Sequence, residues 1–521
     1  FKVSVEQDAP SGLFSYVARH LAALNWGHAE GALAGWWWLG LLPLALLLAS
    51  LALLLRERER RARIRHWIWE EGHWPLLIVV VVFICGFAVN LVFPFAAPRI
   101  ERLLLLALPA YLLLVAALLV ALWYYRRWLA ALCAGALLVV AILSLVFFYT
   151  VPRYPDDDYR PLAGQLRGQA LATDGVVAVH PWQVGYLQAY LPDDDARPDL
   201  VLSPREVLPE ERQLWDGDLA RMSSDLDALL AGHGRLWLLD HRTMGRVLES
   251  QIEAYLAEHA YPVLSEWYGE NTVLSLFSAG EPAPQPVTAR FGEWLVLDGA
   301  ALNPGPLQAG RGVVTADLIW RLLERPGERY HVGLRLADPA GRVWAQRDAP
   351  PIGGLRHFFE WPVDSAQLDR HGLLVPAGTP PGDYQVTLRV YRSHDVEVLP
   401  ATFEGGGGGE VILGTVRVVR PESPLPVEAL QVDQPRQANF GDRLRLLGFE
   451  MEGELALRPG EAVEADLFWQ ALADPGEDFY PRLQLLAPDG ASVAELVEKP
   501  VAGSYPTAWW RAGELVRDPH T

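Results

Sequence analysis

Four apolar runs, each long enough to cross a bilayer, constrain this chain more than any other feature. They cover residues 35–55, 74–93, 103–123 and 128–148. A spanning helix needs about 20 such residues. Aromatic residues cluster at their ends (Trp36, Trp37, Trp38, Trp74, Trp123, Tyr124, Trp128, Phe147, Phe148 and Tyr149), where amphipathic rings favour the headgroup layer. A buried helix of a soluble domain is rarely so long and so free of charge. An integral membrane protein is therefore expected.

Arginine placement orients the spans. The stretch Arg56–His66 carries six arginines, and Arg126 and Arg127 follow the third run. Alternating helices put both on one side, which the positive-inside rule makes cytoplasmic. Residues 1–34, the short loop 98–102 and everything after Tyr149 then lie outside, a location that fits a bacterial plasma membrane protein. Residues 9–27 read as a short amphipathic helix, with Leu13, Phe14, Val17, Leu21 and Leu24 on one face and Gly27 as its stop. It could lie on the membrane interface or pack on neighbouring helices. The chain opens on Phe1 with no start signal or signal peptide, so further sequence upstream is expected.

The net charge is −19, and its acidic excess falls after residue 150. Nucleic-acid binding, which needs a basic footprint, is thereby disfavoured. Both cysteines, Cys85 and Cys133, lie inside apolar runs and supply no disulfide framework or metal site.

Residues 152–280 alternate strand and helix patterns: strands at 175–180, 199–203, 235–240 and 271–277, helices at 182–191, 219–231 and 245–259. A small parallel-type α/β layer follows. No GxGxxG succeeds the first strand, so no nucleotide site is indicated. From about residue 286 the pattern changes to short alternating strands between Pro/Gly turns, as in a β-sandwich. An internal repeat then emerges. ARFGEWLVL (289–297) returns as ANFGDRLRL (438–446), ADLIW (316–320) as ADLFW (465–469), and LRLADPAG (334–341) as LQLLAPDG (483–490), always at an offset of 149 residues. The first copy ends in PPGDYQVTLRVY (380–391) and LGTVRV (413–418), whose counterparts would fall beyond Thr521. The expected architecture is multi-domain. An extracytoplasmic segment (1–34) precedes a transmembrane bundle of four helices (35–149) and an α/β domain (152–280). Two repeated immunoglobulin-like β-sandwiches follow (286–421 and 435–521), the second incomplete and leaving an exposed sheet edge.

Several residues could carry chemistry. Arg99 and Arg102 stand at the outer mouth of the third span, where guanidinium groups could hold a lipid phosphate or merely anchor the helix beside Glu101. Glu6 and Asp8 precede the first helix and could supply a general base, or only cap it. The runs Asp156–Asp158 and Asp193–Asp195 lack the interleaved ligands of a cation loop and read as solvated turns. His180, His241, His331 and His357 show no ligand spacing. No metal site and no cofactor are indicated, with a divalent cation left open. The five glycines Gly405–Gly409 lack a following Lys-Ser/Thr and read as a strand connection. The sandwich tryptophans Trp320, Trp344, Trp469, Trp509 and Trp510 could stack on sugars; Trp320 and Trp469 recur at the repeat offset, which favours core, and Trp509 and Trp510 are freer.

Two stretches carry a family resemblance. Arg102-Leu103-Leu104-Leu105-Leu106-Ala107-Leu108-Pro109 keeps the Arg and final Pro of an R-Y-L-L-P-x-x-P helix entry, departing from it at Leu103 and Leu106. Asp158-Tyr159-Arg160-Pro161-Leu162-Ala163 matches a D-Y/W-R-x-L-A opening of an extracytoplasmic α/β domain. Residues 1–280 thus resemble the membrane-embedded glycosyltransferases of the GT-C fold, in particular the bacterial protein-mannosyltransferase-like group. That resemblance implies transfer of a sugar from a polyprenyl-phosphate donor to a glycan or protein acceptor outside the cytoplasm. It implies a catalytic carboxylate in the first outer loop, upstream of Phe1, and raises Arg102 to a donor-phosphate contact. The rival expectation is a non-enzymatic membrane anchor whose β-sandwiches bind glycan or protein. A transporter fits less well, since no span carries an ionisable residue at its centre.

Overall fold

The computed structural model describes residues 12–27, 31–56, 66, 70, 73–92, 101–150, 158–191, 197–202, 215, 217–242, 247–269, 271–303, 305–452 and 462–521. The chain divides into two compact units, Phe1–Asp158 and Tyr159–Thr521.

In the first unit, four helices are long and apolar enough to cross a membrane: Gly35–Leu53, His73–Val92, Leu104–Tyr125 and Arg127–Thr150. They are built from a 3-10 stretch (Gly31–Leu41) leading into α2 (Leu42–Leu54), from α3 (His73–Val92), from a 3-10 turn (Glu101–Ala107) leading into α4 (Leu108–Tyr125), and from α5 (Arg127–Thr150). Apolar side chains cover both the inner and the outer faces. Leu47, Tyr111, Leu122 and Cys133 pack inward, while Ile84, Leu113 and Phe148 face out. A helix apolar all round has this distribution when lipid is its solvent.

Helix α1 (Leu13–Trp26) packs on these helices. It buries Tyr16, His20, Ala22 and Trp26, with Val17, Leu21 and Leu24 partly covered. Leu13 and Phe14, expected on the same apolar face, are instead exposed. Polar bonds fix α1 in place. Tyr111 Oη donates to Asn25 Oδ1 at 2.9 Å, Asn25 Nδ2 donates to the Gly40 carbonyl at 3.0 Å, and Ser144 Oγ donates to the Trp26 carbonyl at 2.6 Å. In an apolar surrounding, each such group must find a partner within the protein.

The second unit begins with a five-stranded sheet in the order β2-β1-β3-β5-β4. Its strands are β1 (Gly175–Ala178), β2 (Asp199–Leu202), β3 (Arg235–His241), β4 (Tyr261–Tyr268) and β5 (Thr272–Ser278). Strands β2, β1 and β3 are parallel, but β5 runs antiparallel to β3 and to β4. The sheet is therefore mixed, and edge strand β4 is an element the sequence reading did not identify. Strand alternation explains the layering. Val177, Leu236 and Leu238 meet α8 (Leu219–His233) and α9 (Val247–His259) on one face. Val176, Trp237 and Leu239 meet α6 (Tyr159–Gln169) and α7 (Pro181–Tyr190) on the other. At the start of β3 the buried Asp174 accepts from Arg235, Trp237 and the Leu171 backbone, all on Oδ2.

A β-rich region with several sheets follows. One sheet takes the order β13-β10-β8-β7-β15-β16, with β6 also paired to β8; a second takes β12-β11-β14-β17-β9. Their strands are β6 (Ala283–Gln285), β7 (Ala289–Phe291), β8 (Leu295–Leu302), β9 (Leu307–Gln308), β10 (Val313–Leu322), β11 (Tyr330–Ala337), β12 (Val343–Ala349), β13 (Ala366–Leu374), β14 (Gly382–Arg392), β15 (Ala401–Phe403), β16 (Gly406–Gly408) and β17 (Val411–Val419). The glycine run thus forms a hairpin strand paired with β15.

Beyond these lie a four-stranded sheet, β18 (Gln434–Phe440), β19 (Leu444–Glu452), β20 (Glu464–Ala471) and β23 (Leu515–His520), and a ladder of two strands, β21 (Arg482–Leu486) and β22 (Ser492–Val497). Register repeats with the sequence. Trp320 pairs with Leu297 and Gln367, and Trp469 with Leu446 and Val516. The ladders diverge in cover. Leu336 on β11 lies beside β14 and is fully buried, whereas Leu485 and Leu486 on β21 are exposed.

The α/β layer packs directly on the first of these sheets. Tyr261 Oη donates to Asp317 Oδ1 at 2.9 Å. Gly372 on β13 is so close to β4 that a Cβ there would meet Val263 Cγ2 at 2.8 Å.

Candidate functional site

The parallel strands reverse their order between β1 and β3. The chain leaves β1 for β2 on one side and returns to β3 on the other. At such a switch point the carboxyl ends of neighbouring strands splay apart and leave a crevice. Both strands end there on histidine: His180 lies two residues past β1, and His241 is the last residue of β3.

Local structure positions the pair. Pro181 opens α7, where its fixed φ suits the first helical turn. His180 precedes it in extended conformation, and its backbone N–H donates to Gln183 Oε1 at 2.8 Å. Gln183 is fully buried, and its Nε2 reaches Tyr159 Oη at 3.2 Å and the Leu239 carbonyl at 3.3 Å. One amide therefore ties together α6, the end of β1 and the end of β3. Tyr159 Oη and His241 Nδ1 both approach Thr272 Oγ1, at 3.3 and 3.4 Å.

Glu249 enters from the first turn of α9, where the helix dipole favours a carboxylate. Its Oε1 lies 3.1 Å from His180 Nε2, with side-chain exposures of 4% and 20% respectively. The carboxylate is buried and the imidazole only partly covered. Trp182 lies parallel to the His180 ring at 5.6 Å and presents its edge to His241 at 5.2 Å. Along α7, Trp182, Tyr186 and Tyr190 recur every four residues, and each is more than a third exposed. Beside this cluster Arg242 contacts Asp240 and Glu253 at 3.0 Å and lies 4.8 Å over the Trp267 ring.

Chemically, the crevice offers an oriented imidazole–carboxylate pair able to exchange a proton with a ligand hydroxyl. The aromatic row beside it can cover the apolar face of a ring. Among the described residues, no group of three or more His, Cys, Asp or Glu side chains is arranged to hold a metal ion.

Glu6, Asp8 and Arg99 lie outside the described residues, as do Asp156, Asp157 and Asp193–Asp195. Arg102 falls on the 3-10 turn Glu101–Ala107. Tyr159, Leu162 and Ala163 of the DYRPLA stretch are buried, so that stretch anchors α6 on the sheet. His331 joins Ser393 at 2.9 Å, away from the switch point. Trp509 is exposed as expected, but Trp510 is core: it is 1% exposed and donates to the Tyr505 carbonyl at 3.1 Å. Sequence reading passed over the His180–Glu249–His241 grouping. Its available signal was two apolar strand runs, GVVAVH and RLWLLDH, each closing on histidine.

No protein-family model matches the chain. No curated protein matches it either. Among solved structures it is similar to one described as the crystal structure of the C-terminal domain of wzt, at 10% identity, covering 27% of this chain and 83% of that one with a TM-score of 0.21. It is also similar to an endonuclease/exonuclease/phosphatase from Beutenbergia cavernae, at 10% identity, covering 36% of this chain and 59% of that one with a TM-score of 0.14. Neither likeness carries an argument about function.

Proposed function

We propose that this chain is the C-terminal part of an integral membrane glycosyltransferase that moves a sugar from a polyprenyl-phosphate donor to an extracytoplasmic acceptor. The observation that carries the reading is the polar and aromatic cluster of His180, Glu249, His241 and Trp182, in an α/β layer that follows the fourth apolar helix in sequence. In this reading an acceptor hydroxyl attacks the anomeric carbon. The new glycosidic bond forms as the bond to the phosphate oxygen breaks, and polyprenyl phosphate leaves. The hydroxyl proton passes to a carboxylate acting as general base. Arg102, with Arg99 near it in sequence, steadies the phosphate charge as it develops. Within the second unit, the His180–Glu249 pair and the aromatic row of α7 offer a surface suited to a sugar. The C-terminal sheets are two immunoglobulin-like copies serving as appended modules, and the second unit stands outside a bacterial plasma membrane.

The test is transfer by the intact protein in membranes. Arg102→Ala is expected to cut turnover by about a hundredfold with insertion unchanged. Full activity in that variant would remove Arg102 from the mechanism.

One observation favours a second reading. The register of β8, β10 and β13 returns in β19, β20 and β23, and duplicated modules suit a membrane-anchored envelope protein that binds glycan or protein without catalysis. Absence of transfer in the full-length protein, with glycan binding retained, would favour it.

A further inference from the structure

A cleft of about 820 Å³ opens within the second unit. Strand β4 forms one wall, β12 and β13 another, and Glu450, Phe468 and Arg517 close it. One guanidinium in it is unusual. Among the described residues Arg347 makes a single side-chain hydrogen bond, to His371 Nδ1 at 3.4 Å, and forms no ion pair. Its neighbours are all matched: Arg517 to Asp466, Arg389 to Asp348, Arg370 to Asp317 and Arg242 to Asp240 and Glu253. Burial pushes the Arg347 guanidinium down to about 10 against the opposing pull of Asp369 and Asp348. Arginine carries five N–H donors in a planar fork suited to a carboxylate, and among the described residues no carboxylate pairs with this one.

The other end of the cleft holds Trp267, 57% exposed, with Arg242 over its ring. Val263 lies against Gly372, next to His371, at the Arg347 end. Val263 and Trp267 lie four positions apart on extended strand, about 13 Å. Gln169, Gln346 and Gln431 also line the cleft; the Gln346 amide is held by Arg335 and Asp348, and an amide can both donate and accept.

We propose that this cleft binds a short acidic oligosaccharide, with a carboxylate on Arg347 and a sugar ring on Trp267. A saccharide presents hydroxyls to amides and an apolar C–H face to an indole, and a uronate gives Arg347 a carboxylate partner. The site is separate from the transfer reaction and is measurable without any donor.

Calorimetric titration of the full chain in lipid nanodiscs with trigalacturonate, and with maltotriose as the uncharged counterpart, tests this. Trigalacturonate is expected to bind at least tenfold tighter than maltotriose. Arg347→Gln and Trp267→Ala should each weaken it at least tenfold, while Arg347→Lys retains part of the affinity. Trp509→Ala, outside the cleft, should leave it unchanged. No binding of trigalacturonate, or unaltered binding by either of the first two variants, overturns the proposal. Equal affinity for maltotriose overturns the part assigned to Arg347.

Discussion

Asp369 and Asp518 stand 149 residues apart and make the same three contacts. Asp369 receives Trp320 Nε1 at 3.3 Å and the Ile352 backbone N–H at 2.8 Å, with His371 Nε2 at 2.8 Å. Asp518 receives Trp469 Nε1 at 3.3 Å and the Val501 backbone N–H at 2.7 Å, with His520 Nε2 at 2.9 Å. Ile352 and Val501 are both left-handed, at φ 50° and 54°, a conformation β-branched residues rarely adopt. Each carboxylate thus pins a strained backbone turn to a core tryptophan.

Removing either hook leaves a core tryptophan N–H and a backbone N–H without their acceptor, and a buried histidine without its carboxylate. Asp369→Ala and Asp518→Ala should each cost about 3 kcal/mol. Differential scanning calorimetry of the full chain checks this. A loss confined to one of the two would mean that the repeated geometry does not carry repeated energetics.

The histidines of the two hooks differ in their outer partner. His371 Nδ1 faces Arg347, which can only donate, so that nitrogen accepts and Nε2 carries the proton. His520 Nδ1 instead lies 2.8 Å from Glu498 Oε1. Burial opposes the His520 imidazolium, but Asp518 and Glu498 together outweigh it and hold its pKa above the ordinary value of 6.5. A raised folded-state pKa stabilises the fold fully below the unfolded value and is lost as pH rises through the folded one. The thermal midpoint of the β18–β23 region should therefore fall as pH increases from about 6 toward 8. Glu498→Gln should flatten that slope, and an unchanged slope would assign the pH response elsewhere.

Gly372 lets β13 press against β4. A valine there would meet Val263 and the Pro262 carbonyl, the latter 3.1 Å from the new Cβ. Gly372→Val should cost about 1–3 kcal/mol by overpacking and expose the α/β layer to limited proteolysis. Cleavage rates equal to those of the parent would show that the layer does not depend on this contact.

Asn25 bridges α1 to Tyr111 and to the Gly40 carbonyl. Asn25→Leu should destabilise the first unit by about 1 kcal/mol, the scale of polar contacts between membrane helices. Unfolding in mixed micelles measures it, and a stability gain would show that packing outweighs the lost bonds.

Much of the fold was legible because its signals are local and periodic. The runs at 74–93 and 128–148 announce helices whatever surrounds them, and the structure places helices at His73–Val92 and Arg127–Thr150. The repeat was legible because matched residues impose matched register, as the pairing of Trp320 and Trp469 shows. Strand β4 was missed because YPVLSEWY alternates weakly and pairs only through a neighbour later in the chain.

The sequence by itself determined which segments are solvated by lipid and which recur, since hydrophobic length and self-similarity need no third dimension. Only the tertiary structure decided which residues meet. His180 and Glu249 come from separate elements and converge because β3 crosses to the far side of β1. Arg347 on β12 meets His371 on β13 in a cleft that β4 also lines. Such meetings depend on strand order and packing between distant segments, which no local pattern encodes.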